Sequence, residues 1–389
     1  MKIVRDIILT VLVFGFMACN EIPKKKLKTE ILMVNEINTS AKQVRDYLKK
    51  DIVIAHRGTT YWAPEETEPA FLWARNIGVD YLEFDVQLTK DSVLVAFHDT
   101  YLERTTNVSE VFLDKIKAEI NEFTLQELRS LDVGSWFNKK NPDRAKKEFI
   151  GLTILTLKDV VMIAEGNRIL RKKGMPVKEM ALGNWTGNYL YEKDPNDKGN
   201  RPGIYVETKS PKSGTEKILE KEISSFGWNI NKNPKKIITT KGKVDIANTN
   251  ARFVLQSFSP KSIIKLEKYL PNIPKCLLLW QPEMKENLKE NYQKAINFAV
   301  EYNVHIIGPS IAGAPNHYKE LAAPWMIELV HKAGLVMHPY TFDTNEQLNT
   351  YGKKIEGVFT NRADLALEYY LRESKKSSEE ILKELGYKK

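Results

Sequence analysis

The sequence predicts a parallel α/β barrel of about eight strand-helix repeats, on three observations. Apolar, β-branched runs alternate with helical patterns along most of the chain, and such alternation implies a parallel sheet with helices on its outside. The length of 389 residues accommodates a closed barrel, which takes about 250 residues or more. The residues able to do chemistry fall at or near the C-terminal ends of the strand runs, the end at which such barrels carry their sites.

Taken in order, the chain opens with Lys2 and Arg5 before an apolar stretch, Ile7 to Met17, that is too short to span a bilayer and ends in Ala18-Cys19. Residues 1–19 therefore read as a lipoprotein-type signal peptide with Cys19 as the lipidated residue. The protein is expected to be exported and membrane-anchored at the periplasm or cell surface, with simple secretion as the alternative. Residues 20–50 read as a polar tether and a first helix over 39–49. Only Cys276 then remains, so an intramolecular disulfide is ruled out in the mature chain.

Strand runs follow at Ile52–His56, Tyr81–Val86, Val93–His98, Ile204–Lys209, Phe253–Phe258, Cys276–Trp280, Val304–Pro309, Leu335–Thr341 and Gly357–Thr360. Helical patterns lie between them at Glu68–Ile77, Ser213–Phe226, Pro260–Tyr269, Leu288–Glu301, Pro324–Ala333 and Thr344–Tyr351. Nine runs are one more than a barrel needs, and the pattern does not say which are staves. The barrel is expected over 51–372, with an insertion at about 99–203 where the rhythm breaks. Residues 373–389 read as a charged helix or tail. Within the insertion, Trp185 to Pro202 is rich in Gly, Asn, Asp and Pro and reads as an exposed loop. Trp136, Phe137, Trp185 and Tyr189 are expected to form a small subcore.

Glu83 and Asp85 are the most informative pair. At i and i+2 on a strand both carboxylates point to one face. Two acids so placed repel and are costly to desolvate unless a proton or a cation lies between them, and a hard divalent ion is the simplest remedy; a structural ion pair is the bland alternative. Glu207 and Lys209 repeat the i, i+2 spacing on a second apolar strand. His56-Arg57-Gly58 closes the first strand with a proton carrier, a fixed cation and a turn residue. If Val93–His98 returns as a hairpin, His98 comes back to the height of Asp85, which gathers His56, His98, Glu83 and Asp85.

These blocks resemble the glycerophosphodiester phosphodiesterase family, most closely its bacterial periplasmic type. The resemblance rests on His56-Arg57-Gly58, Pro64-Glu65-Glu66-Thr67, Tyr81–Val86, Leu88-Thr89-Lys90-Asp91, His98-Asp99 and Leu102–Asn107. It continues with Gly203–Lys209, Gln256-Ser257-Phe258, Ile307-Gly308-Pro309, His338-Pro339-Tyr340-Thr341 and Gly357–Asn361, and so runs from about Ile52 to about Leu371. It implies a phospholipase C-like phosphodiesterase barrel, with Glu83, Asp85 and Glu207 as metal ligands and His56 and His98 as the catalytic acid-base pair. Arg57, Lys209 and Tyr340 are then substrate-binding residues. Glu66 departs from the family, which has asparagine there.

The implied reaction is metal-dependent hydrolysis of glycerophosphodiesters to sn-glycerol 3-phosphate and an alcohol. Carboxylate-only ligation argues against zinc and for calcium or magnesium; the resemblance to the family, with export, favours Ca2+ over Mg2+. The alternatives are a related barrel phosphodiesterase acting on phospholipid or a teichoic-acid-type polymer, and a non-catalytic ligand-binding surface lipoprotein. The formal net charge of +9 suits an anionic small-molecule substrate. No basic run is interleaved with aromatics, so nucleic acid is not an expected partner.

Overall fold

A computed structural model describes residues 32–33, 50–209, 214–239, 246–280, 284 and 286–388. The signal peptide with Cys19, and the helix expected over 39–49, lie outside the described residues. Eight parallel staves form the barrel: β1 (Ile52–Ala55), β2 (Tyr81–Leu88), β3 (Gly203–Thr208), β4 (Phe253–Ser257), β5 (Lys275–Leu279), β6 (Ile306–Pro309), β7 (Val336–Met337) and β8 (Gly357–Thr360). Along β1 to β7 each stave pairs in parallel with the next, and β8 pairs with β1. The circle closes where Glu356 N–H donates to Met337 O at 3.2 Å and Phe359 N–H to Pro339 O at 3.0 Å.

Eight helices follow the staves in turn: α1 (Glu68–Ile77), α2 (Leu157–Ala164), α3 (Thr215–Ser225), α4 (Pro260–Tyr269), α5 (Leu288–Glu301), α6 (Pro324–Lys332), α7 (Asn345–Tyr351) and α8 (Ala363–Tyr369). Local chemistry sets several ends. Thr156 and Asp159 form a capping box at the start of α2, as do Thr344 and Gln347 at α7, satisfying first-turn N–H groups. Gly78, at φ 99°, ends α1 in the left-handed conformation.

The staves alternate strictly. Leu82, Phe84, Val86, Ile204 and Val206 face the helices and join the main apolar core. The opposite parity points into the barrel, where Ile52, Ile54, Tyr81, Tyr205, Val254, Cys276, Leu278 and Phe359 fill the floor. That inward series, continued up each strand, ends on His56, on Glu83 and Asp85, on Glu207 and Lys209, and on Gln256. The floor is packed with apolar groups and the upper layer carries the polar ones, so strand register alone delivers the site residues to one place.

Val93–His98 is the run left over from the eight staves and returns as the expected hairpin: Leu94–Ala96 runs antiparallel to β2, because the polar turn at Thr89–Ser92 reverses the chain. Two expectations are corrected. Of the run 335–341 only Val336–Met337 forms a strand, since Pro339 has no N–H for a ladder bond. Trp185 to Pro202 is not all loop. Asn184–Tyr189 pairs with Lys178–Ala181 through a register shift, and Tyr191–Lys193 pairs with Asn167–Ile169.

The inserted region packs its own subcore, in which Phe137 stacks edge-on with Trp136 and Phe149. A final helix, α9 (Ser378–Glu384), packs on α1, and Tyr387 beyond it meets Phe149 at 5.7 Å. No helix among the described residues is long and apolar enough to cross a membrane.

Candidate active site

Three carboxylates, Glu83 and Asp85 on β2 and Glu207 on β3, converge so that one oxygen of each lies within 4.8 Å of the others. The β2-β3 register places Asp85 directly beside Glu207. All three are buried. Glu83 accepts hydrogen bonds from the Arg57 N–H at 2.8 Å and from Gln256 Nε2 at 2.7 Å. Lys209 Nζ lies 2.9 Å from Glu207 Oε1 and 3.4 Å from Asp85 Oδ1, and Arg57 Nε lies 3.4 Å from Asp85 Oδ2.

The electrostatics are those of crowded acids. Burial pushes Glu207 up to about 8, against the pull of Lys209 and with the push of Asp85. Burial and the Asp85 charge likewise hold Glu83 well above the ordinary carboxylate range. Asp85 is the exception: burial opposes its ionisation, but Lys209, His98 and Arg57 outweigh it and keep it well below that range. One carboxylate thus takes the charge at its neighbours' expense. The donor set fits a hard divalent cation. It is all oxygen, and Asp85 Oδ2 is buried without a hydrogen-bond donor.

Two histidines reach this centre from different elements. His56, just beyond β1, places Nδ1 2.7 Å from Asn361 Oδ1 at the end of β8. Burial and the neighbouring Arg57 push its pKa down to about 3. His98 arrives by the antiparallel return, where Phe97 N–H donates to Asp85 O at 3.0 Å. Its Nδ1 lies 2.6 Å from Asp99 Oδ1. Arg104 ties Asp99 to Glu65, with bonds of 2.6 and 3.0 Å to the Glu65 carboxylate, and Glu65 in turn accepts from Arg57 Nη1 at 3.0 Å.

His56, His98, Arg57, Lys209, Glu83 and Glu207 line one cleft of about 520 Å³. Tyr340 lines it too, with its hydroxyl donating to Leu279 O at 2.9 Å and its ring packed edge-on against Phe258 and Tyr318. Among the described residues, the structure therefore brings every expected site residue to one place. Sequence reasoning gave no role to Glu65, Asp99, Arg104, Gln256, Asn361, Trp280 or Tyr318. Gln256 and Asn361 carried a signal, since each continues the inward parity of its stave.

Comparison with known proteins agrees. The glycerophosphoryl diester phosphodiesterase family model matches residues 56–215 and 202–365, most of the chain. This chain belongs to the glycerophosphoryl diester phosphodiesterase family. It is 28% identical over 319 residues to the glycerophosphodiester phosphodiesterase of Bacillus subtilis, covering 81% of this chain and 84% of that one. It is also 28% identical over 313 residues to that of Caldanaerobacter subterraneus, covering 80% and 94%.

Among solved structures it resembles an Oleispira antarctica phosphodiesterase in complex with the product sn-glycerol-3-phosphate, with TM-score 0.53, 17% identity and 84% and 98% of the two chains covered. It also resembles a glycerophosphodiester phosphodiesterase from Agrobacterium tumefaciens, with TM-score 0.50, 19% identity and 82% and 99% covered. At these identities the structures bear on the fold alone, and they are barrels of this family.

Glu66, the departure from the family's asparagine, has a physical account. Its Oε1 accepts the Asp85 N–H at 2.8 Å. Burial and the Asp85 charge raise its carboxyl well above the ordinary range, which favours the neutral acid. A neutral acid has both an accepting oxygen and a donating hydroxyl, as an amide has both an acceptor and a donor.

Proposed function

We propose that this chain hydrolyses glycerophosphodiesters to sn-glycerol 3-phosphate and an alcohol, with one divalent cation at Glu83, Asp85 and Glu207 and with His56 and His98 as the acid-base pair. The observation that carries the reading is the convergence, in one cleft, of two histidines with a buried three-carboxylate cluster. Calcium is the proposed ion, because all-carboxylate ligation suits a hard cation and an exported protein meets calcium freely. When bound, the ion supplies Lewis-acid stabilisation of charge on a phosphate oxygen.

The protein's own groups do the rest. Arg57 and Lys209 present fixed positive charge to the diester, which orients the phosphate. His56, held neutral by burial and Arg57, takes the proton of the attacking hydroxyl, that of water or of the glycerol 2-position. His98 gives a proton to the departing alcohol, with Asp99 compensating the positive charge it carries as donor. Phe258, Trp280, Tyr318 and Tyr340 give the cleft an aromatic wall that sheds water from the carbon parts of the substrate.

The test is release of glycerol 3-phosphate from glycerophosphocholine by the purified chain, with chelator and then with calcium or magnesium restored. Release that chelator stops and calcium restores supports the reading, whereas release that persists in chelator overturns the metal role. No release with any metal moves the substrate to a lipid or polymer. For location, we propose export and lipidation at Cys19, supported by the charged, apolar and Ala18-Cys19 pattern. Partition into detergent that is lost on Cys19→Ser supports this; unchanged partition overturns it.

A further inference from the structure

The inserted region carries a β-ribbon that takes no part in the catalytic cleft. Its stem pairs Asn167–Ile169 with Tyr191–Lys193. At the far end of the stem Leu170, Val177 and Leu190 are joined by backbone hydrogen bonds of 2.8 and 2.9 Å, and two hairpins branch from that junction. One pairs Arg171–Lys172 with Met175–Pro176, and the other pairs Lys178–Ala181 with Asn184–Tyr189.

The ribbon climbs the outside of the barrel towards its catalytic end. Its foot is held by Arg75, in the last turn of α1, which donates to Asn167 O at 3.1 Å and pairs with the buried Asp194. Higher up, Glu68, the first residue of α1, accepts the Ile169 N–H at 2.7 Å and pairs with Arg171 at 2.5 Å. The longer hairpin is tied by Gln126, which donates to Trp185 O at 2.7 Å. The adjacent Leu125 N–H donates to Asp91, in the turn beyond β2, at 2.9 Å. Barrel helices begin where staves end, so the branched part of the ribbon lies on the side of the catalytic rim.

That branched end presents apolar groups to water. Met175 is 70% exposed, Met180 57% and Leu182 fully. Leu182 and Gly183 make the two-residue turn of the longer hairpin, with φ of 49° and 81°. A turn of this hand favours asparagine or aspartate at its first position, and leucine there gives up local stability without burying its side chain. The charge around these tips is one-sided. Residues 171–190 hold four basic residues and one acid, Glu179. Arg171 is paired with Glu68, while Lys172, Lys173 and Lys178 stand exposed.

We propose that this branched ribbon docks the protein on an anionic lipid bilayer. Met175, Met180 and Leu182 enter the boundary between headgroups and acyl chains, and Lys172, Lys173 and Lys178 meet the anionic headgroups. Exposed apolar tips alone suit a protein partner as well; the surplus of unpaired lysines around them is what selects an anionic surface. The ribbon belongs to the folded domain, so the proposal rests neither on the substrate nor on lipidation at Cys19.

The test uses the full chain carrying Cys19→Ser and Asn184→Cys, the other cysteine, Cys276, being buried. A nitrobenzoxadiazole label at position 184 reports the surroundings of the hairpin tip itself, whatever the N-terminal segment does. The probes are phosphatidylcholine vesicles with and without phosphatidylglycerol. A blue shift on the phosphatidylglycerol vesicles that shrinks as salt rises is expected. The shift is expected to be lost in Met180→Thr with Leu182→Asn, substitutions that suit a strand and this turn and so keep the thermal midpoint. Lys172→Gln with Lys173→Gln is expected to weaken the preference for phosphatidylglycerol. No shift on either vesicle overturns the proposal, and an equal shift on both overturns the role of the lysines. A shift that needs no vesicles and grows with protein concentration assigns the ribbon to a second copy of the chain, and also overturns it.

Discussion

The carboxylate cluster makes a quantitative prediction about the protein without its cation. Glu207 sits at about 8 in the folded state against an ordinary 4.5. A carboxyl raised by folding gives stability that is whole below 4.5 and is lost as pH climbs through 8. At about 1.36 kcal/mol per pH unit, moving from pH 4.5 to pH 7 costs the chelated fold about 3 kcal/mol at this one group. For a chain of this size that is a fall in Tm of about 5 °C.

Glu207→Gln removes the titration while keeping the shape. The assay is thermal unfolding of both proteins in chelator at pH 5 and pH 7, and again with calcium. In chelator the variant is expected to gain on the wild type as pH rises, by about the amount above. In calcium the order is expected to reverse, because only the wild type keeps three ionised ligands. A wild-type-minus-variant difference that is flat between pH 5 and pH 7 in chelator refutes the account of the cluster.

Three further outcomes follow from other parts of the molecule. His98→Ala is expected to lower kcat by about 10²–10⁴-fold while leaving calcium-induced stabilisation intact; loss of that stabilisation in a melting assay counts against its role as proton donor. Burial pushes His338, in the barrel floor, down to about 4. Its contribution to stability is therefore whole above 6.5 and falls by about 3 kcal/mol as pH drops towards 4, so urea unfolding of His338→Gln should show a shallower acid slope than the wild type. Gly58 has φ 78°, and a Cβ there would lie 2.8 Å from Ala70 Cβ. Gly58→Ala is expected to destabilise by about 2–4 kcal/mol in urea unfolding, and an unchanged midpoint argues against a required glycine at this turn.

The barrel was legible because its signals are local. β-Branched runs, helix caps and the i, i+2 carboxylates each announce themselves within a few residues, and most helix bounds fell within two residues of the structure. The inserted hairpins were not legible. Asn184–Tyr189 contains a glycine and two asparagines, and it is a strand only because a partner at Lys178–Ala181 supplies the ladder. The site divides along the same line. Glu83, Asp85 and Glu207 stand out by spacing on one strand or two. His56 and Asn361 come from opposite ends of the barrel sequence, and no spacing in the chain announces that they share a hydrogen bond.

Charge predicts that cation binding and substrate binding are tied in this centre. With the ligands ionised by a bound cation, Glu66 protonated and His98 charged in its proposed role as donor, Glu65, Glu83, Asp85, Asp99 and Glu207 carry five negative charges against the four positive ones of Arg57, His98, Arg104 and Lys209. One divalent ion turns that surplus of one negative charge into one positive charge, which suits a singly charged diester. Without the ion the cleft is either negative, and repels a diester, or protonated at Glu83 and Glu207, and holds its basic residues less firmly. Cation removal should therefore raise KM as well as lower kcat, whereas loss of either histidine should act on kcat alone. If subsaturating calcium lowers kcat at constant KM, the cation acts on the chemical step only, and the balance of charge plays no part in holding the substrate.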